Sequence, residues 1–517
     1  MPVITPFTPP EKPPIIRHLS GSEYGQKPLE IDSHGYHYVL TGNTLLPDAR
    51  IRDLIARAST PQGAVAAIND AYHQEGYFLV AIKAGVEGKQ VNIQVIQGQI
   101  TELQAPKGLR WYFSGVRNRE DLSNDDLTYH SVLSNLYAQR NGYQMQLGLA
   151  PAQNPGGTAL TVSQTPIPGY EPLSGSLIFG NYGSRYSSRY LTGGTLNYNP
   201  GWGINLNANF TQGLPGLTTA SFGSQYETGG LGSSIVTPLG IYGFTSQWSH
   251  YKIGQSAAPL YPTGNIFTWS VTGNQLLYAS DKTRWSLNEA YTHVGYVSTV
   301  FSGLYTLVDQ HYNYYSVGTQ YNRSYSLLSK PGSVTLSFTY NQGINGSHGT
   351  LFNDVPGYPV ARFHYFDTSV ALNQALPWGF SASLNASGQG AFNFLPQQQQ
   401  WVVGGFGNLS AYYPGVLVGD SGYSARFALQ TPARSFYGFS ATANLFAEAA
   451  GTTYTQLAPQ QAPWQSLSDV GIGITLQSPW GTTITALSAL PVGHNNIPQT
   501  TLSQNRVVAY FVLQQSL

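Results

Sequence analysis

The residues of this chain that could do chemistry are sparse and scattered. Cysteine is absent, which removes disulfides, cysteine–zinc sites and thiol nucleophiles together. The eleven histidines form no H-E-x-x-H pair, and His34 and His37 lie in or beside a charged N-terminal region. No Gly-x-Ser-x-Gly elbow and no Gly-Lys-Ser/Thr phosphate loop occurs, so neither hydrolase nor nucleotide chemistry has its usual sequence support. Asp281, Asp309 and Asp367 are isolated acids that only a fold could pair. We therefore expect a protein that is not an enzyme and holds no cofactor or metal. The densest unusual stretch is Trp401–Phe427, WVVGGFGNLSAYYPGVLVGDSGYSARF, where glycines and aromatics surround the single acid Asp420. Glycine at that density lets a backbone turn tightly or lie against another surface. Its flanks read as strands, so a long loop carried by a sheet is expected.

The elements that would carry such a loop follow from composition. The chain has 517 residues, too many for one ordinary domain. Charged residues make up only 9%, against about 25% in soluble proteins. Hydrophobic residues are 41% and the mean hydropathy is −0.18, so apolar mass has not replaced the charge. Glycine, tyrosine, serine, threonine, asparagine and glutamine fill the gap. Net charge is zero and no Lys/Arg cluster stands out, so no nucleic-acid partner is expected. No run approaches the roughly 20 apolar residues of a membrane helix, and a membrane protein without one must be a closed barrel. The opening MPVITPFTPPEKPPII lacks a basic start and an apolar core, so it reads as having no signal peptide.

Residues 1–34 read as a Pro-rich arm, with a short helix at Ile15–Ser20 and a plug as one possible use. Residues 35–104 carry well-spaced charge and read as a β-α-α-β-β module. Its strand Tyr36–Leu40 precedes helices opening at Pro47 and at Thr60-Pro61. Strands Tyr77–Lys83 and Gln90–Ile96 follow. Residues 105–168 read as a weaker copy, with a helix over Leu122–Gln139 and a closing strand over Thr158–Gln164. From residue 169 to 517 only period 2 remains. Val334, Leu336, Phe338 and Tyr340 alternate with Thr335, Ser337 and Thr339. Val470, Ile472, Ile474 and Leu476 alternate with Gly471, Gly473, Thr475 and Gln477. One face is apolar and the other is polar but uncharged, whereas a soluble sheet would keep charge outside. Trp202, Tyr242, Trp248, Trp378, Trp401 and Trp480 mark strand ends, as in the aromatic girdles of outer-membrane barrels. About 350 residues at about 20 per strand and connection give about sixteen strands. The fold class expected is a transmembrane antiparallel β-barrel preceded by two small soluble modules.

Several motifs, in order, carry a resemblance. They are Gly42-Asn43, AYHQEGYFLV (Ala71–Val80), VNIQVIQGQI (Val91–Ile100) and LAPAQNPGGTALTVSQTP (Leu149–Pro166), then GNYGSRYSSRY (Gly180–Tyr190) as the first barrel strand and GGFGNLSAYYPG…GD (Gly404–Asp420). Together they resemble the two-partner secretion transporters, the outer-membrane exporters of hemolysins and filamentous adhesins in the POTRA-plus-barrel superfamily. The resemblance implies periplasmic POTRA-like modules and a bacterial outer-membrane location. It also implies a secreted client, expected to be large and β-helical, and a monomeric pore. The motif Gly404, Gly405, Phe406, Gly407, Asn408, Leu409, Ser410, Ala411, Tyr412, Gly419, Asp420 would be the loop that folds back into the pore. The family places Arg-Gly where Ser410-Ala411 stand here, and in relatives that arginine pairs with an acid of the barrel wall. Glu448, in LFAEAAG (Leu445–Gly451), would be that acid. Without its partner Glu448 is solvated, paired with another cation such as Arg426, or protonated. We expect hydrogen bonds and backbone packing to hold the loop instead. The client would add as a strand to a module's sheet edge, with Tyr77, Phe78, Leu79, Val80, Ala81 and Ile82 as candidates. A passive channel or a barrel-assembly factor is the alternative. The last strand, Val507–Leu513, is apolar on both faces and lacks the terminal aromatic of a standard insertion signal.

Overall fold

The computed structural model describes residues 27–153, 157–184, 188–218, 222–254, 257–346, 351, 358–456, 463–507 and 509–517. The expected helix at Ile15–Ser20 and most of the arm lie outside the described residues.

The first module is a four-stranded sheet under two helices. Its strands are β1 (Leu29–Ser33), β2 (Tyr36–Thr41), β3 (Val80–Glu87) and β4 (Gln90–Gln97), in the order β1-β2-β4-β3. Helix α1 (Asp48–Arg57) buries Ile51 and Ile55, one turn apart. Its Asp48 and Arg57 sit at the ends that the helix dipole favours for each charge. Helix α2 (Pro61–Gln74) starts where Thr60 Oγ1 accepts the Gly63 N–H at 3.1 Å, with proline in the first turn. Ile68 and Tyr72 of α2 pack with Ile51 and Ile55 over Tyr38, Leu40, Val91 and Ile93.

Two boundaries differ from the sequence reading. β1 falls inside the stretch assigned to the arm, since Leu29 closes the core only after pairing with Leu40. The strand expected at Tyr77–Lys83 begins at Val80, because Phe78 and Leu79 turn away into the next module's core.

The second module joins β5 (Ile100–Gln104), β6 (Tyr143–Pro151) and β7 (Thr158–Pro166) in the order β5-β7-β6. The strand read at Gln90–Ile96 ends at Gln97, and Ile100–Gln104, which the sequence reading assigns to the first module, opens the second module's sheet instead. Helix α3 (Asn124–Arg140) starts with a reciprocal cap. Ser123 Oγ accepts the Asp126 N–H at 3.2 Å, and Asp126 Oδ2 accepts the Ser123 N–H at 2.9 Å. The copy is incomplete. A 3-10 turn at Arg110–Val116 stands where the first module has its first helix, and it buries Tyr112, Phe113 and Val116.

The remainder is a closed antiparallel barrel. Its seventeen strand segments make sixteen staves, because Ser421–Gln430 and Arg434–Phe436 both pair with Phe439–Thr453 and form one interrupted stave. The first stave is Leu173–Gly180 and the last is Ala509–Ser516. The motif expected as the first strand, Gly180–Tyr190, thus follows that stave instead of forming it. Asn181 uses its position there. Its side chain donates to the Ala509 carbonyl at 3.0 Å and accepts the Phe511 N–H at 2.7 Å, extending a seam of only five registered pairs.

Outward residues such as Leu231, Val271, Phe338, Phe427, Leu445 and Ile472 are exposed. Inward ones form hydroxyl ladders, Ser337–Ser369 at 2.5 Å and Ser387–Ser424 at 2.9 Å among them. A continuous apolar belt of this extent has no stable face toward water, and it matches a bilayer. Trp202, Trp378 and Trp480 sit at tight turns between staves. Trp401 does not belong to that girdle: it opens a small hairpin beyond the wall, its ring against Gly422.

Module two docks on the tight-turn end. Arg140 Nη1 donates to the carbonyls of Gly203 (2.9 Å) and Ser234 (3.1 Å), Tyr112 to Val236 (2.8 Å), and Tyr129 to Leu276 (3.0 Å). These bonds run from module side chains to backbone carbonyls at that end of the staves and join module two to the barrel.

Candidate pore and in-folded loop

The glycine-dense stretch leaves the wall at the end of the barrel opposite the modules and turns into the lumen. Trp401–Val403 pairs with Leu417–Gly419 as a short neck. Beyond it Gly404 and Gly405 have φ of +107° and +103°. A Cβ on Gly404 would lie 2.3 Å from the Tyr413 carbonyl oxygen, so only glycine lets the two arms of the loop close on each other. Gly405 N–H donates to the Tyr412 carbonyl at 3.0 Å, which completes the fold of the tip.

The tip meets the wall through backbone donors. Ser410 N–H donates to Glu448 Oε2 at 2.6 Å, and Ala411 N–H to Asp469 Oδ2 at 2.8 Å. Ser410 Oγ accepts the Gly407 N–H at 3.1 Å, which stiffens the turn presenting those donors. Arg426, Glu448 and Asp469 stand in one row on three adjacent staves, each in direct register with the next. Arg426 Nη1 donates to Glu448 Oε1, and its guanidinium lies 3.9 Å from the centre of the Phe446 ring. Glu448 and Asp469 are 3% and 1% exposed. Of the states open to Glu448 from sequence, the geometry has the one with Arg426. The cation sits on the wall and the loop contributes peptide N–H groups. Two buried carboxylates are met by one guanidinium and two charge-assisted backbone hydrogen bonds, which offset much of the cost of removing them from water.

The other side of the tip is tied to the end of the chain. Tyr413 N–H donates to the Asn505 carbonyl, Val507 N–H to the Ala411 carbonyl, both at 2.8 Å, and Tyr510 Oη to the Tyr412 carbonyl at 2.7 Å. Leu409, Ala411, Tyr412 and Val416 form one apolar cluster with Phe446, Leu487, Leu502 and Tyr510. The last stave was read as apolar on both faces over Val507–Leu513. It runs Ala509–Ser516 instead, and its inward Tyr510 is apolar because it meets the loop and not water.

The remaining motif residues separate. Asp420, 0% exposed, accepts the Leu395 N–H (3.0 Å) on Oδ1 and the Thr455 N–H (2.9 Å) on Oδ2. It fixes the loop's return to the wall and does not touch the tip. Phe406 meets the Tyr510 ring edge-on at 6.0 Å. Gly407 and Asn408 face a cavity of about 380 Å³ lined by Ser369, Asn385, Ser387, Ser424 and Arg426. The loop therefore occupies one side of the lumen and leaves polar space on the other. Sequence reasoning passed over Asp469 and Tyr510, and quoted Asn181 only as part of the GNYGSRYSSRY motif. An acid inside the alternation of Leu467–Leu476, with the inward parity of Glu448, was the available signal for Asp469.

The six docking candidates also divide. Phe78 and Leu79 are buried in the junction between modules, Val80 is buried in the first core, and Tyr77, outside any strand, packs half-buried against that core. Ala81 and Ile82 belong to β3, which among the described residues ends its sheet and pairs on one side only. Among the described residues, no group of three His, Asp or Glu side chains is placed to hold a metal ion.

No protein-family model matches the sequence, and neither does any curated protein. Solved structures do. CdiB from Escherichia coli superposes with a TM-score of 0.75 over 98% of this chain and 94% of its own, at 16% identity. The chain shares the CdiB fold. CdiB from Acinetobacter baumannii gives 0.69 over 98% and 95%, at 13% identity. The architecture expected from the sequence, small modules followed by a barrel of about sixteen strands, is the one observed.

Proposed function

We propose that this chain is an outer-membrane protein translocator of the two-partner secretion type. Its modules, in the periplasm, capture an unfolded secreted client, and the barrel passes it outward without nucleotide hydrolysis. The observation that carries this reading is the likeness to CdiB over nearly the whole chain, modules included. The open edge of β3 suits β-augmentation by an extended peptide. A lumen lined mainly by neutral hydroxyls and amides, with Asp367 held by the Asn341 side chain, suits passage, because many fixed charges would hold a moving chain. The sole charged row described above is covered by the loop tip, so the loop both braces the wall and narrows the pore. The client is expected to be a large β-helical protein, its folding outside supplies the energy, and the translocator acts as a monomer. We infer no catalytic role.

The second reading, a barrel-assembly factor, draws on the short five-pair seam. Single-channel conductance in planar bilayers tests the first, comparing the full chain with a deletion of 404–420. A small, flickering conductance that becomes large on deletion is expected. Equal conductance in the two proteins would mean that the loop does not gate, and would leave the seam as the better guide.

A further inference from the structure

A second built cavity lies on the outside of the barrel, at the end away from the modules. It measures about 560 Å³ and is lined by His250, Lys252, Thr263 and Thr299 from three adjacent staves, with Phe222 and Tyr261 from the connecting loops. Lys252 is in register with Thr263, and Thr263 with Thr299. These residues share the outward face with Phe244, Trp248 and Phe267, which are exposed in the apolar belt.

Height along the wall decides what this cavity meets. The stave Gly240–Lys252 starts at a tight turn on the module side. A tilted strand climbs about 2.5 Å per residue. Trp248 then stands about 20 Å above that turn and Lys252 about 30 Å, against an apolar band about 25 Å tall. Trp248 is at the band's edge, and His250 and Lys252 lie just above it, at the level of lipid headgroups.

The chemistry changes in the same order. Below the cavity are Trp248 and Phe267, against which acyl chains lie. Within it are the Lys252 ammonium and the His250 ring, whose Nδ1 is 2.8 Å from Asn265 Oδ1. That bond orients the ring and turns Nε2 outward. Above are Phe222 and Tyr261, both exposed, as flat faces for a sugar. The floor is fixed, since Ser224 Oγ, itself buried, accepts the Gly254 N–H at 3.1 Å. Glu227 stands opposite His250 on the bilayer side but does not line the cavity.

We propose that this cavity binds the phosphorylated sugar headgroup of an outer-leaflet glycolipid. Lys252 pairs with the phosphate, His250 donates a second hydrogen bond when protonated, and Tyr261 stacks on the sugar. The site needs only that the barrel lie in a bilayer, so it stands or falls separately from the translocation reading. The test is native mass spectrometry on the full chain in detergent, titrated with a bisphosphorylated glucosamine lipid and with its dephosphorylated form. Wild-type protein is expected to bind the phosphorylated lipid about tenfold more tightly, and Lys252→Gln to remove most of that preference. Tyr261→Ala should weaken both lipids alike. Lys282→Gln, which removes the same charge at the opposite end, serves as the control, with heat-modifiability confirming each variant folded. Equal affinity for the two lipids, or an equal loss in Lys282→Gln, overturns the proposal. Displacement of the lipid by inorganic phosphate at the same concentration would mark a simple anion site and overturn the lipid assignment.

Discussion

Arg426 and Glu448 face each other in direct register on adjacent staves, and the loop tip reaches their pair through the Ser410 peptide N–H. The ionic partner that the family resemblance places on the loop is thus carried by the wall. Removing either member alone leaves a buried charge with its partner gone, at a cost of about 3–5 kcal/mol. Arg426→Met and Glu448→Gln should each lower the unfolding temperature of the barrel, and the double variant should recover part of the loss. A double-mutant cycle read by heat-modifiability gives the coupling. Strict additivity would mean that the pair is not coupled.

Backbone donors hold the tip, so side-chain truncation there should be mild. Ser410→Ala loses one bond to Gly407 N–H, worth about 1 kcal/mol. Ala411→Pro removes the donor to Asp469 and should free the tip. In single-channel records Ala411→Pro should raise mean conductance and Ser410→Ala should leave it near wild type. The reverse ranking would place the hold in the side chain.

Tyr510 connects the tip to the closing stave through one hydroxyl. Tyr510→Phe keeps the ring against Phe406 and drops the bond to the Tyr412 carbonyl. Channel flicker should become more frequent with no change in the fully open level. An unchanged record would mean that the loop moves independently of the seam.

Client docking on β3 is open to crosslinking. A photoreactive side chain at Ala84 or Val86, on the exposed half of the edge, should capture an arrested client. The same group at Phe78, buried in the module junction, should not.

Burial against Phe113 and Tyr129 holds the His130 imidazole below its ordinary pKa. The unfolded module then takes up its proton first as pH falls, so stability is full above about pH 6.5 and declines below it. Protection of the α3 amides in the intact protein, corrected for the intrinsic pH dependence of exchange, should be greater at pH 7.5 than at pH 5.5, and His130→Gln should flatten that difference.

The barrel was legible because neutral alternation over some 350 residues has few other homes, and the helices because Thr60, Pro61 and Gly76 punctuate them. Segment edges were less legible where residues serve two bodies. Phe78 and Leu79 look like strand, yet they fill the junction. Leu29 looks like arm, yet it closes a core. The loop was visible in its glycines, but its anchors were not. Arg426, Glu448 and Asp469 are far apart in sequence, and only stave register makes them a row. Tyr510 gave no sign, since an apolar inward face makes sense only once something is known to fill the lumen.

The row of Arg426, Glu448 and Asp469 also has a meaning for ions. With the tip seated, peptide N–H groups cover both carboxylates. With the tip withdrawn, one cation and two anions line the same height of the wall, a local surplus of one negative charge. The opened pore should therefore admit potassium ahead of chloride, and its reversal potential in a salt gradient should shift accordingly. Movement of this loop changes which ions pass as well as how many.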